Sequence, residues 1–497
     1  MKSVLIPSDF RFTPKVENKI LFCNDKSEIS INFVDERIVR IVHKPEGFLD
    51  PPAQTAIGIG NIQPNIVNQN DGLMTVSAPN SAIQLDISYK SDFALSFKDA
   101  STRKIFLQDL PWRAYEFDQF GGCHHYFKNN QESYYGLGEK TGRGLKLNKR
   151  FYRLATSDAM GYDAECTDPL YKHVPFYIAL SREGTVAYGV YFNTTGLGSI
   201  DFGCEIDALW GSYTSFKSES HTALDMYIIY GPNVEDVVKG FAKIVGTPAL
   251  IPKYAYGYLA SSMGYAEAEN AQSLLEEFPL KLEEHKIPCD VLHLSSGYTV
   301  DPKTGQRNVF TWNKGRFPDP KKLFTLLRHN GIKTVANVKP WLLVDHPKFE
   351  EMSRENALVW NPRSKSSAQC RLWAAGAGES GMGSYIDLMG KEGREFWKDG
   401  VKELLDVGLD GIWNDNNEFS TIADDFWQIG DWNESLGEKP VKIGEIGGRA
   451  LLTVFMATAS YEAMLERHPN TRPYLISRAM TTGTHRYASS WSGIEVD

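Results

Sequence analysis

The sequence predicts a chain of the α/β plus all-β class, an antiparallel β-sandwich followed by a parallel strand–helix unit. Three observations predict it. Residues 1–245 read as short alternating apolar and polar runs broken by turn-forming clusters. From Lys253 the period changes, and short apolar runs alternate with longer amphipathic ones, the pattern of a parallel sheet with right-handed crossovers. Between the two, Pro248 and Pro252 interrupt the chain, which places a sandwich over 1–245 and a second domain over 250–497.

In the first part, residues 29–34 and 83–89 alternate strictly enough to bury one face of a strand. Asn68, Asn70, Asp71 and Gly72 separate neighbouring runs. Gly136 and Gly138 flank Leu137, so a tight turn is expected there and Glu139 is read as structural. Gly231-Pro232-Asn233 precedes an amphipathic helix.

In the second part, strands are expected over 254–260, 291–294 and 333–339, with helices over 266–285 and 321–329. Phe396, Trp397, Val401, Leu404 and Leu405 recur at helical spacing, and Gly408 stands where the helix would be capped. The strand from Leu409 then runs into a polar loop, Asn414 to Glu418, carrying two carboxylates. A helix over 449–468 and a strand over 473–478 follow. Five strands are legible where a closed (β/α)8 barrel needs eight, so the barrel is expected to be incomplete, in a chain cut short within it. An altered reading frame after Gly493 is one expected cause.

Composition narrows the classes. A length of 497 residues exceeds one ordinary domain, and 42% hydrophobic with 23% charged residues describes a globular chain. A net charge of −9 argues against a nucleic-acid partner. No apolar run reaches the roughly 18 residues of a membrane span, and Pro7 interrupts the N-terminus too early for a secretory signal. Six scattered cysteines without a CxxC pair suggest free thiols and no zinc site, so a cytoplasmic location is expected. Aromatics at 12% fit sugar stacking and large β cores equally, and decide nothing.

The carboxylates of the 414–418 loop would lie at the C-terminal end of a barrel strand, where such barrels place their chemistry. Other strings point the same way: Phe310-Thr311-Trp312, then Phe317-Pro318-Asp319-Pro320, then Ser477-Arg478, Gly483 to Tyr487 and Trp491-Ser492-Gly493. Together they resemble glycoside hydrolase family 31. Trp413-Asn414-Asp415-Asn416-Asn417-Glu418 is similar to the family's Trp-x-Asp-Met-Asn-Glu, with Asn416 in place of Met. Tyr135-Gly136-Leu137-Gly138-Glu139 looks like the signature of its N-terminal sandwich.

The resemblance implies a galactose-mutarotase-like sandwich and a TIM-type barrel. It implies a retaining α-glycosidase acting on α-linked glucosides, without metal or cofactor, whose partner is a small carbohydrate. Asp415 would be the nucleophile, and Glu418 would orient it or hold a sugar hydroxyl. Asp158, from a sandwich loop, with Ser295, Lys339, Trp413 and Arg478, would contact substrate or orient charge at the rim. Oligomeric state stays open.

Two departures keep alternatives open. Retaining glycosidases use a second carboxyl group as acid and base. In the family that Asp follows the Trp-x-Gly, but here Ile494 does, with Glu495 and Asp497 only nearby. Many members also carry Asp-x-Asp-Tyr where this chain reads Leu294-Ser295-Ser296-Gly297-Tyr298, and a serine is no charged acceptor. An α-galactosidase or α-transglucosylase on the same scaffold is therefore one alternative. A catalytically dead, vestigial sugar-binding protein is the other.

Overall fold

Alternation in the N-terminal half becomes strands in the computed structural model, which describes residues 5–491 apart from 6, 15–17, 52, 59, 130, 210, 375–378, 424–426, 431–440 and 447. Ser27–Asp35 turns Ile29, Ile31 and Phe33 inward, all fully buried. Ile83–Ser88 does the same with Ile83, Leu85 and Ile87. An eight-stranded sheet, a five-stranded sheet and a five-stranded meander, all antiparallel, share one apolar core. Its large members, among them Phe33, Phe97, Phe202 and Phe216, each contribute about 1.5–3 kcal/mol of burial.

Gly136, Leu137 and Gly138 all take left-handed φ values of 125°, 61° and 71°. The strain therefore reaches the leucine between the glycines, and at Gly136 a Cβ would lie 2.6 Å from the Phe176 carbonyl oxygen. The helix Val234–Val245 is capped as its sequence implies, Asn233 accepting from the Asp236 N–H at 2.9 Å.

The second half builds a parallel sheet in the order β1 (Leu259–Ser262), β2 (Val291–Leu294), β3 (Lys333–Val338), β4 (Gly411–Asn414), β5 (Leu475–Ser477) and β6 (Ser489–Ser490). Helices α1 (Ala271–Glu284), α2 (Pro320–His329), α3 (Lys391–Val407) and α4 (Ala450–Arg467) cover it. The result is a half-barrel. Asp319 caps α2 through Lys322 N–H at 3.0 Å, and Gly408 ends α3 with φ 121°.

Two sequence expectations need correction. Residues 254–260 are not one strand: Lys253–Tyr256 is a 3₁₀ turn, closed by Ala255 N–H to Pro252 O at 3.0 Å, and the strand starts only at Leu259. The helix expected over 266–285 is two, Met263–Glu267 and α1, because Ala268 is extended and Glu267 turns away to pair with Arg307. Between β3 and α3 the chain also makes an antiparallel excursion that periodicity did not reveal. Its strands Trp341–Leu343, Cys370–Trp373 and Ser380–Tyr385 carry Trp373 toward the rim.

The two halves interlock. Lys172–His173 of the sandwich half pairs in parallel with Met480–Thr481 beyond β5. His173 Nδ1 lies 3.0 Å from Thr481 Oγ1. Among the described residues no helix is long and apolar enough to cross a membrane.

Candidate active site

The alternation of β4 aims the site. Trp413 faces the barrel interior with His293 and Tyr474, while Asn414 points outward, accepting a hydrogen bond from Ser460 Oγ of α4 at 3.1 Å. Asp415, two residues past Trp413, therefore returns to the interior at the C-terminal end of the strand. Asn416 then takes φ 50°, which asparagine tolerates, and the loop turns so that Glu418 also points in. Asn417 fastens it, donating to Ser477 Oγ at 2.9 Å and accepting from the Ala479 N–H at 2.9 Å.

Register supplies the partners. β3 pairs with β4 so that Asn337 stands beside Trp413 and Val338 beside Asn414, which brings Lys339 beside Asp415. Asp415 Oδ2 accepts from Asn337 Nδ2 at 2.9 Å and from Lys339 Nζ at 2.6 Å. Its Oδ1 lies 3.3 Å from Arg478 Nε, yet among the described residues accepts no hydrogen bond.

Arg478 stands at the end of β5 and is 2% exposed. It donates to both oxygens of Glu418 at 2.7 Å and lies 3.1 Å from Asp158 Oδ2. Asp158 comes from the sandwich half, where Tyr171 OH and Asn416 Nδ2 approach its carboxylate at 3.4 and 3.2 Å. Thr156 Oγ1 donates to the Glu418 carbonyl at 2.9 Å. One guanidinium thus gathers three carboxylates from both halves of the chain.

Charge follows. Burial alone would raise the Asp415 carboxyl, but the Lys339 ammonium and then Arg478 outweigh it and hold Asp415 well below the ordinary carboxylate range. Glu418 is pushed up by burial, with Arg478 pulling the other way. Burial pulls Lys339 down while Asp415 supports its charge. His293, beneath Trp413, is lowered by burial to about 4 and stays neutral. The arrangement presents an ionised carboxylate, one oxygen of which accepts no hydrogen bond among the described residues, at the mouth of an apolar-floored half-barrel.

Of the residues expected from sequence, Asp415, Glu418, Asp158, Lys339 and Arg478 come together in this cluster. Trp413 lies beneath it, its indole N–H without a hydrogen-bond partner among the described residues. Ser295 is buried just past β2, at the N-cap position of a 3₁₀ turn that its side chain does not cap. Ile494, Glu495 and Asp497 lie outside the described residues. Sequence reading missed Asn337, Tyr171 and Lys172. Asn337 had a signal, a polar residue two before Lys339 that interrupts the apolar run Val335, Ala336 and Val338. Tyr171 and Lys172 had none, since only the docking of the two halves brings them close.

Comparisons with known proteins identify the family. The family model for the Glycosyl hydrolases family 31 TIM-barrel domain matches residues 248–495, and that for the Glycosyl hydrolase 31 N-terminal galactose mutarotase-like domain matches 28–201. Alpha-glucosidase 2 of Bacillus thermoamyloliquefaciens is 27% identical over 492 residues, covering 96% of this chain and 57% of that protein. An alpha-xylosidase of Saccharolobus solfataricus is 25% identical, covering 94% of this chain and 58% of that protein. Among solved structures, the Flavobacterium johnsoniae family 31 dextranase complexed with glucose superposes with a TM-score of 0.82 at 22% identity, over 98% of this chain and 56% of that one. That last likeness speaks for the fold alone. The chain spans a little over half the length of these relatives. With both family models matched in order along its two halves, and the carboxylate cluster at the strand ends where the motif placed it, the chain belongs to glycoside hydrolase family 31.

Proposed function

We propose that this chain carries the nucleophilic half of a retaining α-glycosidase that acts on α-linked glucosides, with Asp415 as the nucleophile. The observation that supports it is a buried carboxylate kept ionised by Lys339 and Arg478, with one oxygen that faces Arg478 but, among the described residues, accepts no hydrogen bond. A buried anion would ordinarily take up a proton, and this one is prevented from doing so. An ionised oxygen without hydrogen bonds can attack an anomeric carbon, giving a covalent glycosyl-enzyme that water later opens. Arg478 fixes Glu418 and Asp158 on either side, and Asp158, the more exposed of the two, is placed to take a sugar hydroxyl. Relatives named alpha-glucosidase and alpha-xylosidase support the α-linked substrate class without choosing the sugar.

The second reading, a protein that binds sugar without turning it over, is favoured by Ile494 at the family's acid/base position. One experiment separates the two. An α-glucosyl fluoride carries a leaving group that departs without an acid, so it should glycosylate Asp415 whatever stands at 494. Intact-mass analysis after a rapid quench should show one added glucosyl unit, mapped to Asp415 and absent in Asp415→Asn. Saturable binding of maltose with no adduct at any time would establish the second reading instead.

A further inference from the structure

The two oxygens of Asp415 are treated differently by their surroundings. Oδ2 takes hydrogen bonds from Asn337 at 2.9 Å and Lys339 at 2.6 Å, whereas Oδ1 lies 3.3 Å from Arg478 Nε and, among the described residues, takes none. Lys339 is itself gripped. Its ammonium also donates to Asn416 Oδ1 and lies 4.6 Å from the centroid of the Trp373 ring, the same ring that Arg307 approaches at 4.4 Å. At 6% exposure Lys339 has lost nearly all its water, so its charge is retained chiefly because the carboxylate is there.

Other charged and titratable groups face the pair from every side. Arg478 and Glu418 come from the ends of β5 and β4, Asp158 and Tyr171 from the sandwich. Lys172 and Arg307 add positive charge further out, Arg307 being paired to Glu267. Of the cations, Lys339 is the nearest to Asp415.

We propose that Lys339 is a positioning residue that clamps Oδ2, so that Oδ1 is the attacking atom, and that it favours breakdown of the glycosyl ester over its formation. This rests on the reading of Asp415 as the nucleophile. In the first step an Oδ1 lone pair bonds to the anomeric carbon. The bond to the leaving group breaks, and its electron pair departs with that group. Asp415 becomes a neutral ester, and the buried ammonium loses its counter-charge. In the second step a water oxygen bonds to the anomeric carbon and releases a proton to solvent. The electron pair of the carbon–Oδ1 bond then returns to the carboxylate beside the ammonium. Losing the negative charge next to a buried cation is uphill, and regaining it is downhill. Lys339 therefore slows the first step and speeds the second, relative to an apolar side chain of equal length.

The chain as it stands, with Lys339→Met and Lys339→Arg, tests this in two ways. Aspartate carboxyls are labelled with ¹³C, and the Asp415 signal is assigned by its loss in Asp415→Asn. Its titration midpoint should rise by at least one pH unit in Lys339→Met and return in Lys339→Arg. In the second arm each chain is pulsed with α-glucosyl fluoride, the fluoride is removed, and the Asp415 adduct is followed by intact mass. The adduct should decay at least ten-fold more slowly in Lys339→Met, and the arginine variant should recover most of the rate. An unmoved midpoint overturns the clamp. Equal decay rates overturn the partition between the steps. A shifted midpoint with no adduct on Asp415 in any chain overturns the partition and the glycosidase reading together, while the clamp stands.

Discussion

Each half of the molecule holds a buried carboxylate in an arginine fork, and the two are completed differently. In the sandwich, Arg40 meets Asp225 with two contacts of 2.8 Å, and Asn193 Nδ2 donates to the same carboxylate at 2.7 Å. Both Asp225 oxygens are engaged and the pair is self-contained. At the barrel rim, Arg478 forks Glu418 in the same way but is shared with Asp158 and Asp415, and one oxygen of Asp415 is left without a hydrogen bond. The sandwich also has unpartnered buried atoms among the described residues, such as Nδ1 of His43, a ring that burial keeps neutral. An unmatched atom on an ionised group costs far more. Completed polarity belongs to architecture, and incomplete charge marks where chemistry is expected.

The comparison breaks most readily at Asp415. Asp415→Asn keeps the shape and removes the attacking charge, so turnover of an aryl α-glucoside or the fluoride should fall about 10³-fold or more. Asp225→Asn should leave turnover within a few-fold in the fraction that stays folded. Similar losses in both would erase the distinction between the forks.

Stability sharpens it next. Arg478→Met strands carboxylates that are nearly dry and should cost about 3–5 kcal/mol in urea unfolding. Arg40 leaves 36% of its side chain in water, but removing it strands Asp225, which is fully buried and keeps only Asn193, so Arg40→Met should cost about 3 kcal/mol, at the lower end of that range. Equal costs would show that sharing one guanidinium among three carboxylates adds nothing.

A smaller effect is expected at Asp158, whose side chain is 37% exposed. Asp158→Ala should weaken substrate binding by about 1–3 kcal/mol, read as a raised KM with kcat little changed. Kinetics identical to the parent on every substrate turned over would return Asp158 to the role of a solvated loop residue.

The last prediction concerns pH. Burial lowers His43 to about 3, His125 to about 4 and His173 to about 4, against an ordinary value of 6.5. Above pH 6.5 these rings are neutral folded or unfolded and contribute no pH dependence. Below it the unfolded chain takes up protons that the folded chain refuses, so stability falls as pH falls toward 4. Each ring contributes about 1.4 kcal/mol per pH unit over that window. Asp415, depressed in the folded state, acts with the same sign only further down, below the ordinary carboxylate range. Calorimetric melts from pH 7 to 4.5 should show a falling Tm, with a shallower slope in His43→Phe. A slope unchanged by that substitution would show that His43 titrates normally.

Much of this was legible locally. The alternation of Ile29, Ile31 and Phe33 specifies a half-buried strand because side chains repeat every two residues, whatever lies opposite. Asn233 announces its helix because a cap reaches only its own first turn. The string from Trp413 to Glu418 marked the loop by its residues alone. Where local rules failed, at 254–260 and 266–285, a Pro252 turn and an extended Ala268 overrode the apolar pattern.

What only the tertiary structure decided is how the carboxylates are held. Lys339 is 76 residues from Asp415, and Asn337 is 78. Nothing in either segment names the other, and it is the parallel register of β3 on β4 that sets them side by side. Arg478 and Asp158 are further apart still, joined because the sandwich half docks through Lys172 and His173 onto the segment after β5. Periodicity reads the spacing of neighbours along the chain, and the state of a buried charge depends on groups brought near it by the packing of distant ones. The residues alone marked which carboxylate stands at the strand end; the fold surrounds it with cations, sets two hydrogen bonds on one oxygen and turns the other toward Arg478.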